Sequence, residues 1–287
     1  MRALKIAAFG LVSVIGGLNF GFISSARAAW VPPAGYERVG GTITGQSFAV
    51  APDGKVAVGI NKVGVTAGSV KVYANAADAA AGTSPIQTFT DPTFNSFGDI
   101  TFDGNNTVLF SEFSNGTVYS GQVGTGASTA LAPANSVPFP QGVVAHNGAV
   151  YATSVIGPGA SDVIALAGGA ATTVISNIGN GYIGGLAFDA AGNLLVTDSN
   201  DPSFTGASGR LLRFDGLFSP LSPIVLDDGP GGAGVRGYDL AIDSEGDIFV
   251  STGPTLTHVS SDYSLIEQFG PTFVGGFEFV AGLDFAG

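Results

Sequence analysis

The chain contains no cysteine. That excludes a disulfide framework, a thiolate metal site, a cysteine nucleophile and a lipid anchor attached through a cysteine. Histidine is nearly absent as well: there are two, and one tryptophan, in 287 residues. Basic residues are few, 10 Lys and Arg against 22 Asp and Glu. Such a balance repels phosphate backbones and anionic headgroups, so nucleic acid is not an expected partner. The sequence has no G-x-S-x-G elbow, no P-loop and no converging Ser/His/Asp set. The Gly-rich run 229–237 is no dinucleotide fingerprint, because no helical pattern follows it. No amphipathic helical period stands out, and helix content is expected to be near zero. Beyond the N-terminus, no apolar run is long enough to span a bilayer.

The N-terminus reads differently from the rest. Arg2 and Lys5 precede an apolar stretch over 6–22, and Ala26-Arg27-Ala28 has the small-x-small form of a cleavage site. This is the pattern of a secretory signal over 1–28, leaving one domain over 29–287 that is secreted, periplasmic or held at the cell surface. Loss of Arg2, Lys5 and Arg27 takes Lys plus Arg from 10 to 7 against 22 acids, a net charge of −15.

The domain is repetitive. An apolar triplet, a turn with Gly or Asn and a second β-rich run recur at 48–58, 100–110, 143–152, 186–196 and 240–250. The turns at Gly54, Asn106, Gly148, Gly192 and Gly246 are 52, 42, 44 and 54 residues apart. Spacing of that order suits a four-stranded unit repeated around an axis. In the fourth unit the strands are expected at 186–188, 194–197, 210–214 and 224–226. Third strands recur at 69–73, 117–119, 163–166 and 255–259, and fourth strands at 86–89, 128–131, 172–175 and 265–269. The fold class is therefore all-β: a β-propeller of four-stranded blades. Residues 276–287 echo the start of a blade, and 36–44 offer strands to complete it. Six blades with the last closed by the N-terminus are expected, with five as the alternative. A chain continuing past Gly287 into a sorting segment is a third possibility. The 21 phenylalanines are expected to pack between blades.

The segment 185–214 (GLAFDAAGNLLVTDSN…GRLLRFD) resembles NHL repeats and those of the SMP-30/gluconolactonase-like propellers. The first resemblance implies a binding platform. The second implies a metal-dependent lactonase whose Glu, Asn and Asp, at the starts of inner strands, hold a divalent cation at the channel mouth. At the corresponding positions this chain has Ser47 for the Glu, no Asn before Gly142 or Gly185, and an aspartate, Asp239, displaced by one position.

The candidate residues follow from repeat position. Asp99 and Asp239 open equivalent first strands and are the candidate ligands for Ca²⁺ or Mg²⁺, which prefer oxygen donors. The alternative is that each caps loop N–H groups. Glu112 and Asp198 end equivalent second strands, where Ser154 and Thr252 stand in other blades. They either line the channel mouth for a ligand or fix the adjoining loop. Asp198, Asn200 and Asp201 alternate as oxygen donors without the rest of an EF-hand, and Asp227-Asp228-Gly229 begins a long loop expected to act as a lid. His146 falls in a tight turn and His258 on an outer strand, neither where a general base is expected. Asn105-Asn106-Thr107 and Asn115-Gly116-Thr117 match the glycosylation acceptor and read as turns. Without a catalytic constellation, the expected function is binding of a protein, polymer or small ligand through a loop face. The alternative is the metal-dependent hydrolase.

Overall fold

The computed structural model describes residues 45, 47–104, 106–200, 209–226, 239–251, 256–264 and 266–269. Among these residues there are five four-stranded antiparallel sheets, each made of strands consecutive in the chain. The first is β1 (Ser47–Val50), β2 (Val56–Ile60), β3 (Ser69–Tyr73) and β4 (Gln87–Thr90). The second is β5 (Phe97–Asp103), β6 (Thr107–Glu112), β7 (Thr117–Gln122) and β8 (Ser128–Ala130). The third is β9 (Pro140–His146), β10 (Ala149–Ser154), β11 (Ser161–Ala167) and β12 (Ala170–Ile178). The fourth is β13 (Ile183–Phe188), β14 (Leu194–Asp198), β15 (Arg210–Phe214) and β16 (Pro220–Val225). The fifth is β17 (Asp239–Ile242), β18 (Ile248–Ser251), β19 (Leu256–Val259) and β20 (Ile266–Phe269).

These are propeller blades. Their first strands pack in succession, β1 on β5, β5 on β9, β9 on β13 and β13 on β17. No comparable packing joins β17 to β1 among the described residues. Five blades is the count expected as the alternative; the segments assigned to a sixth, 36–44 and 276–287, lie outside the described residues.

Burial follows the radial order. Second strands are sandwiched between neighbouring blades, and β14 (LLVTD) and β18 (IFVS) are buried at every residue. A continuous apolar run, rather than alternation, suits a strand covered on both faces. The outermost β16 (PLSPIV) is almost wholly exposed. Its two prolines remove donors from a free sheet edge, where they blunt pairing with other chains. Phenylalanines fill the seam between blades one and two: the Phe94 ring stands edge-on to Phe97, Phe110 and Tyr119, with centroids 5.0–5.6 Å away. Such pairs add roughly 0.5–1.5 kcal/mol each beyond their buried area.

The first hairpin turn of blades four and five is a local code. Asp189 Oδ1 accepts the N–H groups of Ala191 and Asn193 at 2.9 and 2.7 Å, and Asp243 Oδ1 those of Glu245 and Asp247 at 2.9 and 3.0 Å. The chain then turns through Gly192 and Gly246, at φ 80° and 85°. Only glycine adopts that conformation without a Cβ penalty.

One helix departs from the expected all-strand chain: α1 (Ala76–Ala81), between β3 and β4. Alanine is the best helix former, and the Asn75 side chain caps the first turn by accepting the Asp78 N–H. The helix is too short to carry an apolar stripe, so periodicity is silent about it.

Candidate functional site

The inner strands approach one another too closely for side chains at their starts. A Cβ on Gly98 would lie 2.3 Å from the Pro140 carbonyl, and one on Gly142 2.9 Å from the Gly185 Cα. A Cβ on Gly185 would lie 2.5 Å from Asp239 Oδ1. These glycines let the blades converge on a central channel.

A buried hydroxyl stands at the same register of the second strand in four blades: Ser111, Thr153, Thr197 and Ser251. Thr153 Oγ1 accepts the Gly142 N–H at 2.7 Å and donates to the Gly184 carbonyl of the next blade at 2.8 Å. Ser111 Oγ accepts the Asp99 N–H at 2.8 Å and donates to the Gln141 carbonyl of the next blade at 3.2 Å. Ser251 accepts the Asp239 N–H at 2.9 Å. Each hydroxyl satisfies inner-edge backbone that the ladder leaves over. In blade one this position is Gly59, paired with Ser47. Ser47 Oγ, buried and without a partner among the described residues, sits where blades two and five have Asp99 and Asp239.

Asp99 and Asp239 line one cavity of about 250 Å³. Its wall is β5, β9, β13 and β17, with Val143, Leu186 and Leu240 among the apolar residues and Thr101 and His146 among the polar ones. Among the described residues, no lysine or arginine lines it. Asp99 bridges two blades: Oδ1 accepts the Ile100 N–H at 2.7 Å and Oδ2 the Val143 N–H at 3.0 Å. Asp239 Oδ1 accepts the Leu240 N–H at 2.8 Å. Both therefore accept strand N–H groups, Asp99 one from the next blade, rather than the loop N–H groups of the sequence reading, and both line the channel cavity. Two carboxylates suit a cation that keeps most of its water, and fall short of an all-protein cage. Among the described residues, no three His, Cys, Asp or Glu side chains gather as a metal site.

Glu112 and Asp198 are fully buried. Glu112 Oε1 accepts the N–H groups of Asn95 and Ser96, both at 2.8 Å, and Oε2 that of Asn115 at 2.6 Å. Asp198 accepts the N–H groups of Gly181 and Asn200 on Oδ1 and of Asn180 on Oδ2, which also takes the Arg210 guanidinium. Ser154, at the same register, donates to the Pro138 carbonyl at 2.8 Å. This position pins the loop arriving from the preceding blade. Thr252, Asp201 and the loop at Asp227-Asp228-Gly229 lie outside the described residues.

His146 is the channel residue that the sequence left unassigned. Its position in a tight turn suggested a loop tip, yet His146 is among the residues lining the cavity, and its ring stacks on Phe188 at 3.8 Å, 8° from parallel. His258 lies away from the channel, with Nε2 3.1 Å from Asp247 Oδ2 and its ring stacked on Phe249. Asn115 donates from Nδ2 to the Tyr119 hydroxyl, and its Oδ1 is buried, so this acceptor motif is folded into the structure.

The two ends of the propeller differ in charge. The hairpin turns at one end carry Asp53, Asp103, Asp189, Asp243, Glu245 and Asp247, with Asp78, Asp215 and Asp262 in the outer connections, against Lys55. The described loops at the other end carry Lys62 and Asp91, with Glu112, Asp162, Asp198 and Arg210 at the adjoining strand ends. That end exposes Val63 and Val65 (75% and 100%), Phe139, Ile156 and Tyr182. The tip holding the two valines is braced by paired Val63–Thr66 backbone bonds of 3.1 and 3.0 Å.

No family model and no curated protein matches the chain. Solved structures do. A nidogen/laminin complex matches with a TM-score of 0.61 at 14% identity, covering 84% of each chain. A streptogramin B lyase matches at 0.56 and 10%, covering 79% of this chain and 69% of that one. A calcium-binding protein, regucalcin, from Agrobacterium tumefaciens matches at 0.53 and 15%, covering 79% and 74%. At these identities the likeness is one of fold, and in fold this chain is a β-propeller similar to theirs.

Proposed function

We propose that this chain is an exported, non-enzymatic propeller that binds a protein partner through its apolar loop face. The observation that carries the reading is the polarity between the two ends. Among the described residues, acidic side chains crowd the turn end, and the loops of the other end present exposed Val63, Val65, Phe139, Ile156 and Tyr182 with Lys62 and Asp91 as their charged residues. Depletion of charge around apolar and aromatic residues marks the core of protein interfaces. The likeness to a chain of a nidogen/laminin complex is in keeping with it. The test is cross-linking in cells that make the protein, comparing Val65→Asp and Ile156→Asp with Leu217→Asp, an 87% exposed residue at the turn end. The reading expects a discrete adduct that the first two abolish and the third retains. An adduct lost equally in Leu217→Asp, or no adduct at all, overturns it.

A second reading has one observation in its favour: Asp99 and Asp239 share the channel cavity. In it a hydrated Ca²⁺ or Mg²⁺ sits between them and the protein hydrolyses a lactone. It expects a melting temperature that rises with metal, falls with EDTA, and loses that response in Asp99→Asn and Asp239→Asn. No response to either metal, with no lactone turned over, removes it.

A further inference from the structure

The chain holds three Asn-Gly pairs: Asn115-Gly116, Asn147-Gly148 and Asn180-Gly181. In such a pair the glycine nitrogen carries no neighbouring side chain to shield it, so it can attack the asparagine amide. As sequence the three are equivalent. The fold separates them.

At Asn180 the attacking atom is tied up. The Gly181 N–H donates to the buried Asp198 carboxylate at 3.1 Å, and Asn180 donates its own N–H to the same group and its Nδ2 to Asn200. At Asn115 the amide is enclosed: Nδ2 donates to the Tyr119 hydroxyl, Oδ1 is buried, and the main-chain N–H is held by Glu112. Gly116 is itself buried, and a Cβ there would lie 3.0 Å from the Asn135 Cα. Asn147 and Gly148 are both exposed, at the tip of the β9–β10 hairpin. A Cβ on Gly148 would meet nothing within 4 Å. Both residues have positive φ, 50° and 78°. Asn147 Nδ2 lies 2.9 Å from His146 Nε2, a ring atom able to exchange a proton with the departing nitrogen.

We propose that Asn147 is a site of spontaneous deamidation, and that the fold protects Asn115 and Asn180. The Gly148 nitrogen forms a bond to Asn147 Cγ, and the Cγ–Nδ2 bond breaks. The nitrogen leaves as ammonia, taking the proton that the Gly148 amide gives up, and a five-membered succinimide remains. Water adds to one of its two carbonyls, giving aspartate or isoaspartate. Water enters, ammonia leaves, and no electron is transferred. The product carries a carboxylate beside His146, a residue of the cavity wall, so ageing adds negative charge at that end of the cavity.

The test is peptide mass mapping of the full protein held at 37 °C and mildly alkaline pH, folded and in denaturing urea, with ion-exchange profiles taken in parallel. In the folded protein Asn147 converts at least about tenfold faster than Asn115 or Asn180, which react only through local opening. In urea the three convert within a few-fold of one another. The acidic species that accumulates on ion exchange is absent from Asn147→Ser. Comparable conversion of all three in the folded protein, no conversion at Asn147, or the same preference in urea each overturns the proposal.

Discussion

A buried carboxylate is costly unless its oxygens find donors, and Glu112 and Asp198 show how that requirement becomes architecture. Each gathers three loop N–H groups from two segments, one on either side of the hairpin formed by the blade's first two strands. Asp198→Ala would strand those donors and the Arg210 guanidinium together, and about 3 kcal/mol of unfolding free energy should be lost, read from urea titration. A loss below half that figure would mean that water replaces the carboxylate. The pair Asp189 and Tyr263 ties blades four and five, with the Tyr263 hydroxyl donating to Asp189 Oδ2 at 2.7 Å and the Arg213 guanidinium 3.8 Å over the tyrosine ring. Burial pulls the Asp189 carboxyl up, but bonds from Asn193, Tyr263 and Ala191 outweigh it and hold the group below the usual carboxylate range. Burial and the Asp189 charge push the Tyr263 hydroxyl up to about 12. Between their folded and unfolded values, unfolding makes Asp189 take up a proton and Tyr263 release one. The Asp189 contribution is thus complete above the unfolded carboxyl value and fades as pH falls through the lower folded one. The Tyr263 contribution is complete below the unfolded value of 10.0 and fades as pH rises through about 12. Melting temperature against pH should show both limbs, and Tyr263→Phe should remove the tyrosine share of the alkaline one. An unchanged alkaline limb in that variant would assign it to other groups.

At the scale of the element, strands were legible where burial has a period and obscure where it depends on neighbours. The third strands at 69–73 and 210–214 have the bounds their alternation predicts. Strand β12 runs over Ala170–Ile178, well past the expected 172–175, because an outermost strand is held by its ladder partner and its own side chains face solvent. The hydroxyls at Ser111, Thr153, Thr197 and Ser251 went unmarked, since serine and threonine are common and only the register reveals that they match. Gly98, Gly142 and Gly185 were likewise unreadable, for what excludes a side chain there belongs to the next blade. The aspartates were legible as equivalent positions at a shared channel mouth, and the rest of the cavity wall was not, because it takes four strands to build. Thr153→Val keeps the shape and removes the polar atom, leaving the Gly142 N–H and the Gly184 carbonyl without their partner. A loss of about 2 kcal/mol is expected, with faster amide exchange in β9 and β13 and little change in β5. Uniformly faster exchange would mean that the hydroxyl serves the whole ring rather than one seam.

For the whole molecule, the formal charge is −12, and most of the acids in the described turns and loops lie at the turn end. Like charges on one face repel, and salt screens them over about 10 Å at 0.1 M. Melting temperature should therefore rise by a few degrees between low and moderate NaCl, and acid-to-amide changes at the turn end should flatten that rise. Flatness in the parent protein would show that these aspartates are neutralised by their own turns.

The hydroxyl that reaches from one blade to the carbonyl of the next also bears on inheritance. A repeat protein can lengthen by copying a unit, provided the copy fits beside any neighbour. Blades two and three do not meet that condition, because each completes its successor's backbone as well as its own. Blade one, with Gly59 at that place, lacks the hydroxyl and reaches the unit that follows by another route, Asn61 Oδ1 accepting the Phe97 N–H at 3.0 Å. Order along such a chain behaves like word order in a sentence: moving a unit changes what its neighbours require, so drift within blades is an easier path than reshuffling them.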